Sequence, residues 1–308
     1  MFFESRPVKV RILREDFFDQ KRNRKVPVKI YAPEKPKKKL PCIFWSHGLG
    51  GSRDGAAFLG RFIAEQGFIV VHMTHIGTDT SIWEGKPGHP WDVIRAHHIS
   101  RHDSLSRFKD PSFVLNELQR RATAGEEPYQ HINFDAVGMS GHSFGAVTTQ
   151  IMAGHKLGKN KRLYSMKDER FKCGIPYSLG PTYNQSEPPE RIYGPISIPM
   201  LYMTGTKDDS PVSGKDYTSR LPIFESAGGS DQHLLILQDG DHMVFAGSRG
   251  KLEDNPKREL HEQLIQHVSL AFWRAYLEEN EEARNWLHSD QITNYLDGEA
   301  IWRTRNLS

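Results

Sequence analysis

Two kinds of hydrophobic pattern follow one another along this chain. Near the start, apolar and basic positions alternate: Val8, Val10 and Ile12 against Lys9 and Arg11, then Val26, Val28 and Ile30. A period of two is that of a strand with one face exposed. The polar stretch 19–24 between them predicts a turn, so the two strands should pair antiparallel at a sheet edge. Beyond residue 40 the apolar residues come in short unbroken runs. These are Cys42-Ile43-Phe44-Trp45, Phe68-Ile69-Val70-Val71, and the segments 136–139, 173–179, 200–203 and 234–237. Such runs suit strands buried on both faces of a mostly parallel sheet.

Helical spacing separates several of these runs. It is seen over 56–66 (Phe58, Leu59, Phe62, Ile63), 111–121 (Phe113, Val114, Leu115, Leu118) and 259–277 (Leu260, Leu264, Ile265, Val268, Phe272, Trp273). Alternating strands and helices predict an α/β fold. The expected form is a mostly parallel central sheet flanked by helices, with antiparallel N-terminal strands. A chain of 308 residues suits one such domain, 1–308, with insertions. Segment 78–106 is polar, rich in histidine and tryptophan, and without a period. Segment 181–199 is rich in Pro, Tyr and Ser. Both follow apolar runs, so both are expected at the carboxyl edge of the sheet as a partial lid. Segment 281–308, with Trp286, Leu287, Ile292, Tyr295 and Trp302, predicts a helical extension packed on the domain.

One run leads into chemistry. Ala136-Val137-Gly138-Met139 is followed by Gly141-His142-Ser143-Phe144-Gly145 and then by a helix-like stretch, 146–154. Gly-x-Ser-x-Gly between a strand and a helix is the nucleophile elbow of serine hydrolases. The serine sits on a turn so sharp that only glycines let the flanking backbones approach. The backbone N–H of Phe144, at the helix start, is then aimed at an oxyanion formed on the serine.

A serine hydroxyl needs a base, and the base needs an orienting acid, in the chain order Ser, Asp or Glu, His. The run at 200–203 ends in Gly205-Thr206-Lys207-Asp208-Asp209, which points to Asp208 as the acid, with Asp209 as its rival. The run at 234–237 leads through Gln238-Asp239-Gly240-Asp241 to His242, the candidate base. His233, His261 and His267 lie before that strand's end or on the last long helix and read as core or surface residues. After Cys42-Ile43-Phe44-Trp45 comes Ser46-His47-Gly48-Leu49-Gly50-Gly51. That small-residue turn marks Leu49 N–H as the second oxyanion donor, with His47 holding the loop by hydrogen bonds. His142, Trp83 and Trp91 are candidate substrate contacts.

Composition narrows the field only slightly. Hydrophobic residues at 37% suffice for a core, and 41 Lys and Arg against 38 Asp and Glu leave the chain near neutral. The basic run at 35–39 lacks the interleaved aromatics of a nucleic-acid groove, so no nucleic-acid partner is expected. No stretch is long enough for a membrane span. No leader pattern opens the chain, which favours the cytoplasm, or secretion or the periplasm if a leader were missing. Cys42 and Cys173 sit in apolar runs and read as buried thiols, though their pairing is not legible. His89, His97, His98, His102 and Asp103 are fit ligand types, but their spacing matches no standard metal motif, so no metal or cofactor is expected. Oligomeric state is not legible.

With these residues in view, the chain resembles the α/β-hydrolases of the dienelactone-hydrolase-like group, which includes plasma-type platelet-activating-factor acetylhydrolases. The resemblance rests on the segment 44–51, the segment through Gly67-Phe68-Ile69-Val70, Arg107 and Asp110 before Phe113-Val114-Leu115, and the elbow at 141–145. It spans roughly residues 25–275. The chain also resembles polyester-cleaving, cutinase-like enzymes in its serine triad. It departs from dienelactone hydrolases proper, whose nucleophile is cysteine. The resemblance implies a serine carboxylesterase acting through an acyl-enzyme on small to medium esters. A cutinase-type polyester hydrolase, an acetylhydrolase of phospholipid-like esters and a non-catalytic binder on the same fold remain as alternatives.

Overall fold

A computed structural model describes residues 7–159, 162–179, 187–229, 231–247 and 255–305. Strands β1 (Val10–Asp19) and β2 (Arg24–Pro33) form the expected antiparallel pair, longer than the alternation alone suggested. The unbroken apolar runs become β3 (Leu40–Ser46), β4 (Ile69–Met73), β5 (Ile132–His142), β6 (Phe171–Tyr177), β7 (Met200–Lys207) and β8 (Gln232–Asp241). A last strand, β9 (Ala300–Arg305), completes the sheet, whose order is β1-β2-β4-β3-β5-β6-β7-β8-β9. From β4 to β8 every neighbour is parallel. The antiparallel contacts are β1 with β2, β2 with β4, and β8 with β9. The carboxyl ends of β3, β5, β6, β7 and β8 therefore emerge along one edge.

The runs are unbroken because both sheet faces are covered. Ile43 and Trp45 pack into the core on one side with Leu59 and Ile63 of α1 (Ala57–Glu65) and Val268 and Phe272 of α7 (Arg258–Leu277). Cys42 and Phe44, one residue out of phase, pack on the other side with Leu115 and Leu118 of α3 (Arg101–Thr123) and Ile151 of α4 (Phe144–Ala153). Each fully buried large apolar side chain stabilises the fold by about 1.5–3 kcal/mol. Short helices α2 (Pro90–Ala96), α5 (Pro189–Tyr193) and α6 (Leu221–Ser226) lie between the long ones. Both cysteines are free and buried. Among the described residues no helix is long and apolar enough to cross a membrane.

Three expectations need correction. The helix read over 111–121 begins at Arg101, where Ser100 Oγ accepts the Asp103 N–H at 2.9 Å, and it carries Pro111 in its interior. Its early turns bury Ser106, Arg107 and Asp110 as well as Phe108, so polar residues interrupt the hydrophobic period there. Segment 78–106 accordingly contains a 3-10 turn (Thr80–Ile82), α2 and the start of α3. The C-terminal extension is not one helix but α8 (Glu281–Leu287), α9 (Asp290–Leu296) and β9. Asp297 (φ 46°) and Gly298 (φ 77°) take left-handed conformations that end α9. The chain then covers the open edge of β8, which would otherwise present unpaired backbone groups. Of segment 181–199, residues up to 186 lie outside the described residues.

Candidate active site

Ser143 is the single residue between β5 and α4, and its backbone is strained, with φ 54° and ψ −111°. A non-glycine residue there costs on the order of 1–3 kcal/mol, which the surroundings must offset. Ser143 N–H donates to Tyr177 O at the end of β6 (3.0 Å). The motif's glycines answer a close approach. A Cβ on Gly141 would lie 2.5 Å from Gly145 O, and one on Gly145 would lie 1.8 Å from Ser46 O. The start of α4 is thus pressed against the end of β3, and no side chain fits between them.

Asp208 lies just past β7 and is fully buried, whereas Asp209 is exposed. His242 follows β8 in a turn shaped by Asp241, whose Oδ1 accepts Met243 N–H (2.7 Å) and Val244 N–H (3.2 Å). His242 Nδ1 is 2.8 Å from Asp208 Oδ1 and 2.7 Å from Ser178 Oγ. Asp208 Oδ1 also accepts the Ser178 hydroxyl (2.8 Å) and Arg220 Nη2 (3.0 Å), while Oδ2 accepts Thr204 Oγ1–H (2.8 Å). These bonds place a proton on Nδ1 and leave Nε2 as the acceptor. Burial alone would raise the Asp208 carboxyl, but the His242 hydrogen bond, with the charges of His242 and Arg220, holds it below the usual carboxylate range. Ser143 and His242 line the same cavity. Ser178, Thr204 and Arg220 were not foreseen from the sequence. Ser178 follows directly after β6 with φ 46°, a position that pattern reading has no means to flag.

The loop after β3 runs against the elbow. A Cβ on Gly48 would lie 3.0 Å from His142 Nδ1 and 3.3 Å from Ser143 Cβ. This brings the Gly48–Leu49 peptide beside the serine. Phe144 is the first residue of α4, and the first N–H groups of a helix have no intrahelical acceptor. Leu49 and Phe144, whose N–H groups are the expected oxyanion donors, line one cavity together with Ser143. The loop is pinned from behind. Gly50 N–H donates to Thr78 O (2.9 Å), His75 N–H to His47 Nε2 (3.0 Å), and His47 Nδ1–H to Gly48 O (2.6 Å).

Beneath it lies a second Ser–His–Asp arrangement. Ser46 Oγ is 2.9 Å from His75 Nε2, and His75 Nδ1 is 2.9 Å from Asp110 Oδ2. Ser46, His75 and Asp110 are each fully buried, so no substrate reaches this serine. Arg107, also buried, donates to Ser46 Oγ and Thr78 Oγ1 (both 2.9 Å), to Thr148 Oγ1 (3.1 Å) and to His47 O. Asp110 in turn accepts from Arg22 (2.8 Å) and Arg24 (2.8 and 2.9 Å). The network ties β3, β4, α3 and α4 together and fixes the Ser46–His47 backbone just ahead of Gly48.

Of the three candidate substrate contacts, Trp83 and Trp91 line the cavity beside Ser143, and Trp83 Nε1–H donates to Gly50 O (2.7 Å). His142 also lines it but is nearly buried. Its ring lies tilted 4.7 Å from that of His242, and its Nε2 is 2.8 Å from His242 O. Its visible role is to hold the backbone of the candidate base. Two histidines of segment 78–106 have side-chain partners: His89 Nδ1 accepts Trp91 N–H (3.4 Å) and His102 Nε2 meets Ser106 Oγ (3.5 Å). Among the described residues no group of three or more His, Cys, Asp or Glu could hold a metal ion.

Buried neutral histidines make the fold acid-sensitive. Burial pushes His142 and His72 down to about 3 and His75 down to about 4, and holds His47 well below its ordinary value. In the unfolded chain each takes up a proton near pH ~6.5. Below that pH the unfolded state binds more protons, so stability falls as pH falls, by about 1 kcal/mol per histidine per pH unit. The depressed carboxyls of Asp110 and Asp208 lose their contribution only at lower pH. The urea midpoint is therefore expected to drop steeply between about pH 6.5 and 5, above the range where carboxylates titrate. A midpoint constant over that window would contradict the burial of these rings.

Comparison with known proteins agrees with this architecture. The family model for platelet-activating factor acetylhydrolase, isoform II, matches residues 9–83, from β1 to just past the 3-10 turn, including the His47-Gly48-Leu49 loop. Platelet-activating factor acetylhydrolase of Cavia porcellus is 23% identical over 292 residues, covering 85% of this chain. The chain spans 63% of that relative's length. Sheet order and sequence likeness point the same way: the chain has an α/β-hydrolase fold and resembles the isoform II platelet-activating factor acetylhydrolases.

Proposed function

We propose that this protein is a serine carboxylic-ester hydrolase in which Ser143, His242 and Asp208 form the catalytic triad. The observation that carries the reading is His242 Nδ1 held 2.8 Å from buried Asp208, in a cavity shared with a serine on a strained strand-to-helix turn. His242 Nε2 takes the Ser143 proton as Oγ attacks the ester carbonyl. The N–H groups of Leu49 and Phe144 bind the oxyanion, and Asp208 stabilises the imidazolium. His242 then gives its proton to the leaving alkoxide, and the alcohol departs. A water that loses a proton to His242 attacks the acyl-enzyme. Collapse of that second intermediate returns the proton to Ser143 and releases the acid. Each step uses side chains, backbone N–H groups and water.

A second reading narrows the first. The names of the matching family and of the guinea-pig relative favour an acetylhydrolase of phospholipid-like esters. The test common to both is covalent labelling. A fluorophosphonate probe is expected to modify the chain once, on the peptide that holds Ser143, and to abolish hydrolysis of p-nitrophenyl butyrate in step with labelling. Full labelling at another residue, or hydrolysis that survives complete labelling, would overturn the assignment.

A further inference from the structure

Two cavities meet at Ser143. One, of about 660 Å³, is lined by Phe58, Trp83, Trp91 and Met243 among others. The other, of about 570 Å³, runs past Phe108, Val147, Leu157 and Ile192. Ser143 and His242 line both, as do Leu49, Pro211 and Val212. Each volume falls in the range that holds a small organic group, about 300–1,000 Å³. An ester carbonyl at Ser143 would thus have room for a substantial group on either side.

The two cavities differ in charge. No lysine or arginine lines the first. The second is lined by Lys156, Lys159 and Arg220 and, among the described residues, by no aspartate or glutamate. Arg220 is committed, since its donors go to Asp208 and to Leu179 O. The lysines are different. Among the described residues neither Lys156 nor Lys159 lies within ion-pair distance of a carboxylate, and Lys159 is exposed while Lys156 is half-buried. The backbone that carries them is tied down: Lys156 N–H donates to Ile192 O (3.0 Å), and Leu157 exchanges two backbone hydrogen bonds with Tyr164. Two cations with no opposing carboxylate among the described residues therefore stand at the wall of an apolar cavity that begins at Ser143.

We propose that the second cavity receives an apolar chain that ends in a carboxylate, and that the substrates are esters carrying such a chain on one side of the carbonyl. The apolar wall takes the methylenes and the lysines take the anionic end. The aromatic cavity takes the other, uncharged half. The inference rests on Ser143 being the nucleophile, and hydrolysis itself follows the steps given above.

The test compares matched esters in two arms. In the acyl arm, mono-p-nitrophenyl adipate is set against p-nitrophenyl hexanoate. In the alcohol arm, the acetate ester of 6-hydroxyhexanoic acid is set against hexyl acetate. In one arm kcat/KM for the anionic ester is expected to exceed that for the neutral one by about tenfold, and the excess should shrink in about 1 M salt. In the Lys156→Ala/Lys159→Ala variant the ratio is expected to fall to near one. Whichever arm shows the effect identifies the half that enters the second cavity. Equal rates within both arms would overturn the proposal, as would a preference that survives in the double variant. Failure to hydrolyse any of the four esters would instead count against the proposed function.

Discussion

Replacing Ser143 with alanine is expected to lower kcat for p-nitrophenyl acetate and butyrate on the order of 10⁴- to 10⁶-fold, with the fold intact. The nucleophile is removed, while the oxyanion donors and the cavities stay in place and leave a residual rate above that in water. Stability should change little. The backbone strain at φ 54° is the same for alanine as for serine, and the N–H of residue 143 still donates to Tyr177 O. Initial rates with circular-dichroism melting of the same preparations check both halves. Turnover unchanged in a fully folded variant would remove Ser143 from the chemistry.

The second large effect is expected at Asp208. An asparagine there has nearly the same shape but only one acceptor oxygen, and Asp208 accepts from four side chains: His242, Ser178, Arg220 and Thr204. The imidazolium formed during attack would lose its counter-charge, and kcat is expected to fall about 10⁴-fold. The variant should also be less stable. Arg220, only 1% exposed, would remain charged with no carboxylate beside it, and breaking a buried pair from one side costs about 3–5 kcal/mol. A double variant, Asp208→Asn with Arg220→Met, separates the two effects. Chemical denaturation should show much of the stability restored, while activity stays lost. Recovery of activity in the double variant would mean that Asp208 acts only as the partner of Arg220.

Arg220 adds a constraint that a bare triad lacks. It clamps Asp208 through both the carboxylate and the backbone carbonyl, with Nη2 2.8 Å from Asp208 O. The proposed acid is thereby fixed in position and in charge before any substrate arrives. Preorganised groups of this kind lower a barrier because they need not reorient as charge develops. The Arg107 network does the same for the loop that carries the proposed oxyanion donor Leu49, on the other side of Ser143.

The legible parts of this protein share one property: they are local. Ser143, Asp208 and His242 each stand just past an apolar run, and a run of that kind followed by glycine and polar residues is readable within a few positions. The structure has them past β5, β7 and β8, with Asp208 against His242. The strands were legible because burial on both faces leaves an unbroken apolar run within each. The start of α3 was not, because its buried face mixes Ser106, Arg107 and Asp110 with Phe108. Polar residues read as surface until their partners are known. Nor was β9 legible, since a short strand at a sheet edge needs only partial burial and its pattern differs little from a helix end.

By itself the sequence determined the order of the core strands and of the helices with a clear apolar face, the strained serine between two glycines, and an acid and a histidine at the ends of two later strands. Backbone sterics and apolar periodicity act over a few residues, so they leave a mark in the chain. Only the tertiary structure decided that Ser178, Thr204 and Arg220 surround Asp208, that Ser46, His75, Asp110 and Arg107 lock the loop before Leu49, and that two cavities of unlike charge meet at Ser143. Most of those contacts join residues far apart in sequence. A buried polar group takes whatever partner the fold brings within reach, and nothing in the neighbouring residues records which one that is.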